Sequence, residues 1–177
     1  MERTEKTKIM FAVTESKRHG YPHPSAISRR AVFWTLEKIV RYNTSGFHLS
    51  FIHVHSPAAT CTQLEKNNSN GDALLQYFIN RCNSLEIDSE AINRAGLNVS
   101  KIICKEAKRK NADLLVVGGI ARQRTSLDLW KRIFSAEVIE HCVGHAKCPV
   151  LTYRRSEDDN NEDEIDYDRV AGGQRQD

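Results

Sequence analysis

The chain has 177 residues, 40% of them hydrophobic and 28% charged, with a formal net charge of +3 at pH 7. This composition suits one globular domain with its own core, and two domains would be cramped. No apolar run approaches the ~20 residues of a membrane-spanning helix, and the N-terminus lacks the apolar stretch of a secretory signal. The sequence therefore predicts a cytoplasmic protein without membrane attachment, with the nucleus as a second location.

Charge is unevenly distributed along the chain. Residues 156–177 hold nine acidic and two basic residues, a net charge of −7, which leaves +10 on residues 1–155. The acidic segment has too few apolar residues to fold, so we predict a solvated tail that serves solubility rather than regulation. The predicted organisation is an N-terminal extension over 1–7, one domain over 8–155 and a disordered acidic tail over 156–177.

Predicted strands and helices alternate through the first half of the chain. The apolar run IMFAV at 9–13 predicts the first strand, and helical periodicity predicts a helix over about 25–42. The run LSFIHV at 49–54 predicts the second strand. Polar residues at 60–72 predict a loop, and apolar residues at helical spacing predict a helix over 73–83.

The second half continues the alternation. Residues 86–92 alternate like a half-exposed edge strand, and Asn98 is positioned to cap the helix that follows. A buried strand at 114–117, an amphipathic helix over about 129–145 and a last strand at 149–153 complete the set.

Five strand and helix repeats imply an α/β fold with a five-stranded parallel sheet and helices on both faces, because parallel neighbours need crossover connections. Ligands in such sheets bind outside the carboxyl ends of the strands, where the strand order reverses. If the first and fourth strands are neighbours, a crevice there includes Val13, Thr14, Val54 and Gly118. The fourth strand is predicted to break at Gly118 and Gly119, and a glycine turn before a helix is a common phosphate site.

Six short segments carry a resemblance to a known family. They are FAV at 11–13, AVFWTL at 31–36, FIHV at 51–54, ICKEA at 103–107, DLLVVG at 113–118 and HAKCPV at 145–150. No single segment is specific. In their joint order and spacing, they make the chain resemble the universal stress protein A family, in its plant single-domain form, over roughly residues 6–155.

The resemblance implies a fold of the adenine-nucleotide α-hydrolase type and, in many members, bound ATP or AMP. In those members an acidic residue after the first strand meets the ribose, and backbone at the end of the second strand meets adenine. A G-x-x-G motif, nine further residues and a G-S/T pair hold the phosphates. Val54 and Gly118 of this chain match that pattern.

Other positions depart from the family pattern. The acidic position is Thr14, the second motif glycine is Ala121, and the closing pair is Ala136-Glu137, with fourteen residues between Ala121 and Ala136. A methyl group obstructs the close approach of backbone N–H groups to phosphate, and the Glu137 carboxylate replaces a hydroxyl donor. Three lost contacts would weaken binding by about two to five decades. The sequence thus predicts a degenerate nucleotide site.

The enlarged loop is basic, which leaves an alternative open. Arg122, Arg124, Lys131 and Arg132 are able to hold phosphate through their side chains instead of backbone. We interpret them as a solvated loop.

The motifs of other nucleotide-binding and catalytic protein classes are absent from the sequence. The sequence has no dinucleotide-binding, P-loop or hydrolase-elbow motif, so no enzymatic activity is predicted. His141, Cys142, His145 and Cys148 are the one set of metal-like residue types, and we interpret them as packing residues rather than zinc ligands. The basic helix near Lys105 has no interleaved aromatics for base stacking, so nucleic-acid binding is not expected.

Two functions remain. The first is a non-enzymatic stress-response module with a degenerate nucleotide site and no certain cofactor. The second is a sensor that binds AMP or ATP through the loop arginines and lysines. Family members commonly pair through the last strand, so the resemblance implies a homodimer formed along 149–153, from Pro149 to Tyr153.

Overall fold

Strands and helices alternate along the described part of the chain, which is residues 5–120 and 136–155 of a computed structural model. The strands are β1 (Thr7–Ala12), β2 (Phe47–His55), β3 (Asp88–Ala95), β4 (Leu114–Ile120) and β5 (Val150–Arg155). The helices are α1 (Ala26–Thr35), extended by a π-helical turn over Leu36–Val40, then α2 (Cys61–Ser84), α3 (Val99–Arg109) and α4 (Ala136–His145). A short 3-10 turn lies at Thr44–Gly46.

The five strands form one parallel sheet in the order β3-β2-β1-β4-β5. The predicted fold class is therefore confirmed, and β3 is an edge strand as its alternating pattern predicted. Ile9 of β1 is level with Leu49 of β2 and with Leu114 of β4. The first and fourth strands are thus neighbours, and the strand order reverses between them. This is the position at which parallel α/β sheets bind ligands.

The sheet is covered on both faces, which explains the uninterrupted apolar runs in its strands. Ile9, Phe11 and Leu49 pack on the side of α1 and α2. Met10 and Leu115 pack on the opposite side, with α3 and α4. Successive residues of one strand therefore serve two different cores.

The predicted loop at 60–72 is wrong, because α2 already begins at Cys61. Thr60 caps the helix by accepting a hydrogen bond from Gln63 N at 3.2 Å. Further along, Asn93 of β3 donates from Nδ2 to the Asn68 carbonyl at 2.9 Å. A Cβ at Gly71 would lie 2.5 Å from Asn93 Oδ1, so glycine permits this close approach. Contacts with the sheet therefore stabilise the helical conformation of residues 61–71, although the composition of this segment favours a loop.

The predicted break at Gly118 and Gly119 is also wrong. Both glycines lie within β4, level with Tyr153 and Arg154 of β5. A Cβ at Gly118 would lie 3.1 Å from the Ile27 carbonyl oxygen of α1. The glycine therefore lets a helix pack closely on the strand, which is a common reason for glycine inside a sheet.

The remaining boundaries lie close to those predicted. The first helical stretch ends where Arg41 adopts a φ of 49°. Asn98 is the N-cap of α3, but its side chain makes no capping hydrogen bond. Positions 129–135 of the predicted fourth helix and the acidic tail lie outside the described residues. In the described part of the chain, none of the helices has the length and apolar character needed to cross a membrane.

Candidate functional site

The candidate crevice lies at the carboxyl ends of β2, β1 and β4. Ala12 is level with Ile52 and with Val117, so the segments that follow lie side by side. Val13 continues this arrangement by donating its N–H to the Ile52 carbonyl at 2.9 Å. The structure therefore brings Val13 and Thr14 close to the strand segments that contain Val54 and the paired glycines of β4.

Thr14 belongs to a cluster of three buried hydroxyl groups, formed by Thr14, Ser25 and Ser28. Thr14 Oγ1 lies 2.9 Å from Ser25 Oγ, which in turn donates to Ser28 Oγ at 2.9 Å. The Thr14 N–H donates to Ser28 Oγ at 3.0 Å. Ser25 is also the N-cap of α1 and accepts from the Ser28 N–H. The hydroxyl cluster thus links the end of β1 to the start of α1. The Thr14 hydroxyl makes its hydrogen bonds within this cluster.

A second buried polar contact joins β2 to the loop that follows β1. His53 Nδ1 donates to the Val13 carbonyl at 3.1 Å, and His53 Nε2 accepts from the Tyr21 hydroxyl at 2.8 Å. Burial lowers the pKa of His53, although the hydrogen bond to Val13 opposes the shift. Burial, with the nearby Glu15 carboxylate, raises the pKa of Tyr21 to about 12. His53 is therefore a neutral imidazole, and Tyr21 a neutral phenol, at physiological pH.

This arrangement limits what the crevice does chemically. Both ring nitrogens of His53 are already bonded, and neither contacts a hydroxyl of the Thr14 cluster. A nucleophile needs a base within hydrogen-bond reach. Within the described residues, the crevice therefore presents structural hydrogen bonds and no nucleophile paired with a base.

The positions that the family pattern assigns to phosphate lie only partly within the described residues. Ala136 is half-buried and Glu137 is exposed in the first turn of α4. Within residues 5–120 and 136–155, the Glu137 carboxylate has no hydrogen-bond or ion-pair partner. Ala121 and the four basic residues of the predicted loop lie outside the described residues. Glu137 lies in the first turn of α4, where the helix dipole favours negative charge.

The set of histidines and cysteines near the C-terminus divides into two groups. Cys142 is fully buried and Cys148 half-buried, as packing residues should be. The interpretation as core residues is wrong for the histidines, since His145 is exposed and His141 is only half-buried. Among the residues the structure describes, no group of three or more His, Cys, Asp and Glu side chains is arranged to hold a metal ion.

Several residues of the crevice were not predicted from sequence. A serine directly before an apolar helical segment is an N-cap signal, so Ser25 was within reach of prediction. Tyr21 gave no signal, because its partner His53 is 32 residues away in the sequence. Such pairs become visible only when the strand order is known.

Comparison with known proteins gives a consistent family assignment. The model of the universal stress protein family matches residues 8–154. The chain is 36% identical over 178 aligned positions to a "Universal stress protein A-like protein" of Arabidopsis thaliana, covering 92% of this chain and 98% of the relative.

Solved structures agree with the sequence comparison. A universal stress protein family protein from Arabidopsis thaliana, crystallised with AMP bound, matches with a TM-score of 0.66 and 36% identity over 89% of this chain and 97% of that one. The universal stress protein UspA from Lactobacillus plantarum matches with a TM-score of 0.57 and 16% identity, over 85% and 99% of the two chains. The second likeness concerns the fold alone.

Proposed function

Because the chain belongs to the universal stress protein family, we propose that it is a non-enzymatic stress-response module with a degenerate adenine-nucleotide site. The observation that carries this proposal is the hydroxyl cluster. Thr14 stands where nucleotide-binding members have an acidic residue, and its hydroxyl is bonded to Ser25 at 2.9 Å. A ribose approaching this position would have to break that contact to gain a neutral one. Exchanging one neutral hydrogen bond for another changes the binding free energy by about zero, whereas a charge-assisted bond to an acidic residue contributes about 1.5–3 kcal/mol.

Glu137 supports the same proposal from the phosphate side. It occupies the position that the family pattern gives to a hydroxyl donor, and its exposed carboxylate has no partner in the described part of the chain. A carboxylate repels phosphate where a hydroxyl would donate to it. We therefore infer weak or absent binding of AMP and ATP.

A second candidate function is a sensor that binds AMP or ATP. The Arabidopsis structure with AMP bound favours it, because that protein is 36% identical to this chain over most of both. In this alternative, Arg122, Arg124, Lys131 and Arg132 supply the phosphate contacts. Such side-chain contacts tolerate the loss of motif glycines, since guanidinium and ammonium groups reach phosphate from a distance.

Calorimetric titration with AMP and ATP at low salt separates the two functions. We expect millimolar or weaker dissociation constants for the unaltered protein. We also expect that Glu137→Ser tightens ATP binding about tenfold or more, because one charge-assisted hydrogen bond replaces a repulsion. The matched control is Glu140→Ser, which removes an exposed carboxylate from the same helix. Submillimolar affinity in the unaltered protein would reject the degenerate site and favour the sensor.

We further propose that the module is a homodimer formed through β5. This strand lies at an edge of the described sheet, where its outer N–H and C=O groups have no strand partner. Sedimentation at roughly 10–50 µM, a concentration range in which typical interfaces associate, should show a dimer. Thr152→Lys on β5 should shift the protein to monomer, while Ala91→Lys on the opposite edge strand β3 should not. A monomer at these concentrations contradicts the proposal.

A further inference from the structure

The exposed side of α3 carries three lysines without an acidic partner. Lys101, Lys105 and Lys108 are all exposed, and their spacing of i, i+4 and i+7 places them on one side of the helix. Within residues 5–120 and 136–155, none of the three makes a hydrogen bond or an ion pair. We call these residues the lysine row. Like charges three and four residues apart on a helix repel one another, so the row favours an anionic partner.

The other basic residues around α3 are paired with carboxylates, which distinguishes them from the lysine row. Arg94 and Arg109 share the Glu106 carboxylate, at 3.1 Å and 2.6 Å. Lys110 pairs with the Glu90 carboxylate. These two carboxylates are therefore occupied by other cations, and neither of them neutralises the row.

The segment that follows β5 has the complementary charge. Residues 156–177 have a net charge of −7, and eight of their nine acidic residues lie within 157–168. These residues lie outside the described part of the chain, and they are attached to Arg155 at the end of β5. Their sequence thus supplies a dense set of carboxylates at a known point of the fold.

The attachment point lies at the edge of the sheet where α3 begins. The strands β3 and β5 are parallel, so both end at the same edge, and α3 starts at Val99, shortly after β3 ends at Ala95. The helices α3 and α4 pack on the same face of the sheet. Neighbouring helices are about 8–10 Å apart, so the start of the row lies within roughly 20 Å of that point. A flexible segment as long as 156–177 would have a root-mean-square end-to-end distance of about 25 Å, which is enough to reach the row.

We propose that the acidic tail, residues 156–177, binds the lysine row of its own chain. Each exposed ion pair is weak and is screened by salt, so the contact is reversible and weakens as the salt concentration rises. Attachment to the same chain compensates for this weakness, because a short flexible connection gives an effective concentration of roughly 1 mM. A tail whose intrinsic dissociation constant is also about 1 mM is then bound about half of the time. The tail thereby has a binding role in addition to its predicted role in solubility.

Cross-linking of the full chain with a carbodiimide tests the contact, because this reagent joins a lysine amine directly to a neighbouring carboxylate. In about 0.02 M salt, tail carboxylates should be joined to the lysine row at least about fivefold more often than to Lys66. Lys66 is the matched control, since it is equally exposed but belongs to α2, on the opposite face of the sheet. In about 0.5 M salt the preference should disappear. Equal cross-linking of the row and of Lys66 at low salt would overturn the proposal.

An equal mixture of isotopically labelled and unlabelled protein shows whether the tail and the row belong to one chain. We expect cross-linked peptides of like labelling, whereas a majority of mixed pairs would assign the contact to a second copy and reject binding within the chain.

Cleavage of the tail by a glutamate-specific protease measures the same contact without cross-linking. The combined variant Lys101→Gln, Lys105→Gln and Lys108→Gln should release tail peptides about twofold faster at low salt, because a tail bound half of the time is protected half of the time. The corresponding arginine variant keeps the positive charge and should be cleaved at the rate of the unaltered protein. Lys66→Gln should also leave the rate unchanged. An unchanged rate in the glutamine variant, or the same increase in Lys66→Gln, would overturn the proposal.

Discussion

Replacing Phe51 by alanine is expected to lower the free energy of unfolding by about 3–5 kcal/mol, the range for deleting a buried aromatic ring. Phe51 stacks on Phe11 of β1 with ring centroids 5.1 Å apart, and on Phe78 of α2 with centroids 5.2 Å apart. None of the three is more than 1% exposed. The variant therefore removes the middle ring of a stack that joins two strands to a helix, and the stack lacks room to close over the cavity.

Urea denaturation followed by circular dichroism measures this loss. Phe51→Leu, which keeps most of the buried volume, should cost about 1–1.5 kcal/mol. Tyr42→Ala is the control for removing an aromatic side chain, since Tyr42 follows the π-helical turn after α1 and is 100% exposed. Its effect should stay within about 0.5 kcal/mol. A loss below about 1 kcal/mol for Phe51→Ala would contradict the close packing of the three rings.

The same core explains why much of the fold was predictable from sequence. Strands covered on both faces are mostly apolar, so runs such as 9–13 and 49–54 were readily recognised, even though Ser50 and His53 interrupt the second one. The alternation of these runs with helical segments then required a parallel sheet. The start of α2 was not predictable, because Cys61 to Gly71 is polar and has a low helical propensity. Its support comes from Asn93 on β3, a contact between residues 25 positions apart.

The position of the candidate site in the fold was predictable from sequence, but the hydrogen bonds of its side chains were not. The parallel strand order brings the ends of β1, β2 and β4 together, so Val13, Thr14 and Val54 were placed on the correct edge of the sheet. The roles of the side chains depend on partners from other segments. Thr14 was identified only as a missing acidic residue, whereas the structure shows its hydroxyl bonded to Ser25. Gly118 matched a phosphate motif, and the structure gives it a packing role against Ile27.

Replacing Glu106 by alanine is expected to cost about 2 kcal/mol of stability near pH 7. The Glu106 side chain of α3 is 8% exposed and accepts from Arg94 of β3 at 3.1 Å and from Arg109 at 2.8 Å. The variant would leave two arginines without their carboxylate, and hydrogen bonds to charged groups contribute about 1.5–3 kcal/mol. Because both arginines are about half-exposed, solvent compensates part of the loss. The effect should therefore stay below the 3–5 kcal/mol of a fully buried pair.

The contribution of Glu106 should also depend on pH. Burial by itself raises the pKa of the Glu106 carboxyl, but the hydrogen bonds from Arg109 and Arg94 outweigh it and hold the pKa below its ordinary value of 4.5. Unfolding then takes up a proton in acid, so the stabilisation is complete above the unfolded pKa and is lost as the pH falls through the lower folded pKa. Urea denaturation of the unaltered protein and of Glu106→Gln at pH 7, 5 and 4 should show a difference that is constant between pH 7 and 5 and smaller at pH 4. Glu65→Gln, on the exposed side of α2, removes the same charge without a described partner and should show no such convergence. A difference for Glu106→Gln that grows in acid would mean that burial, and not the two arginines, governs the carboxyl.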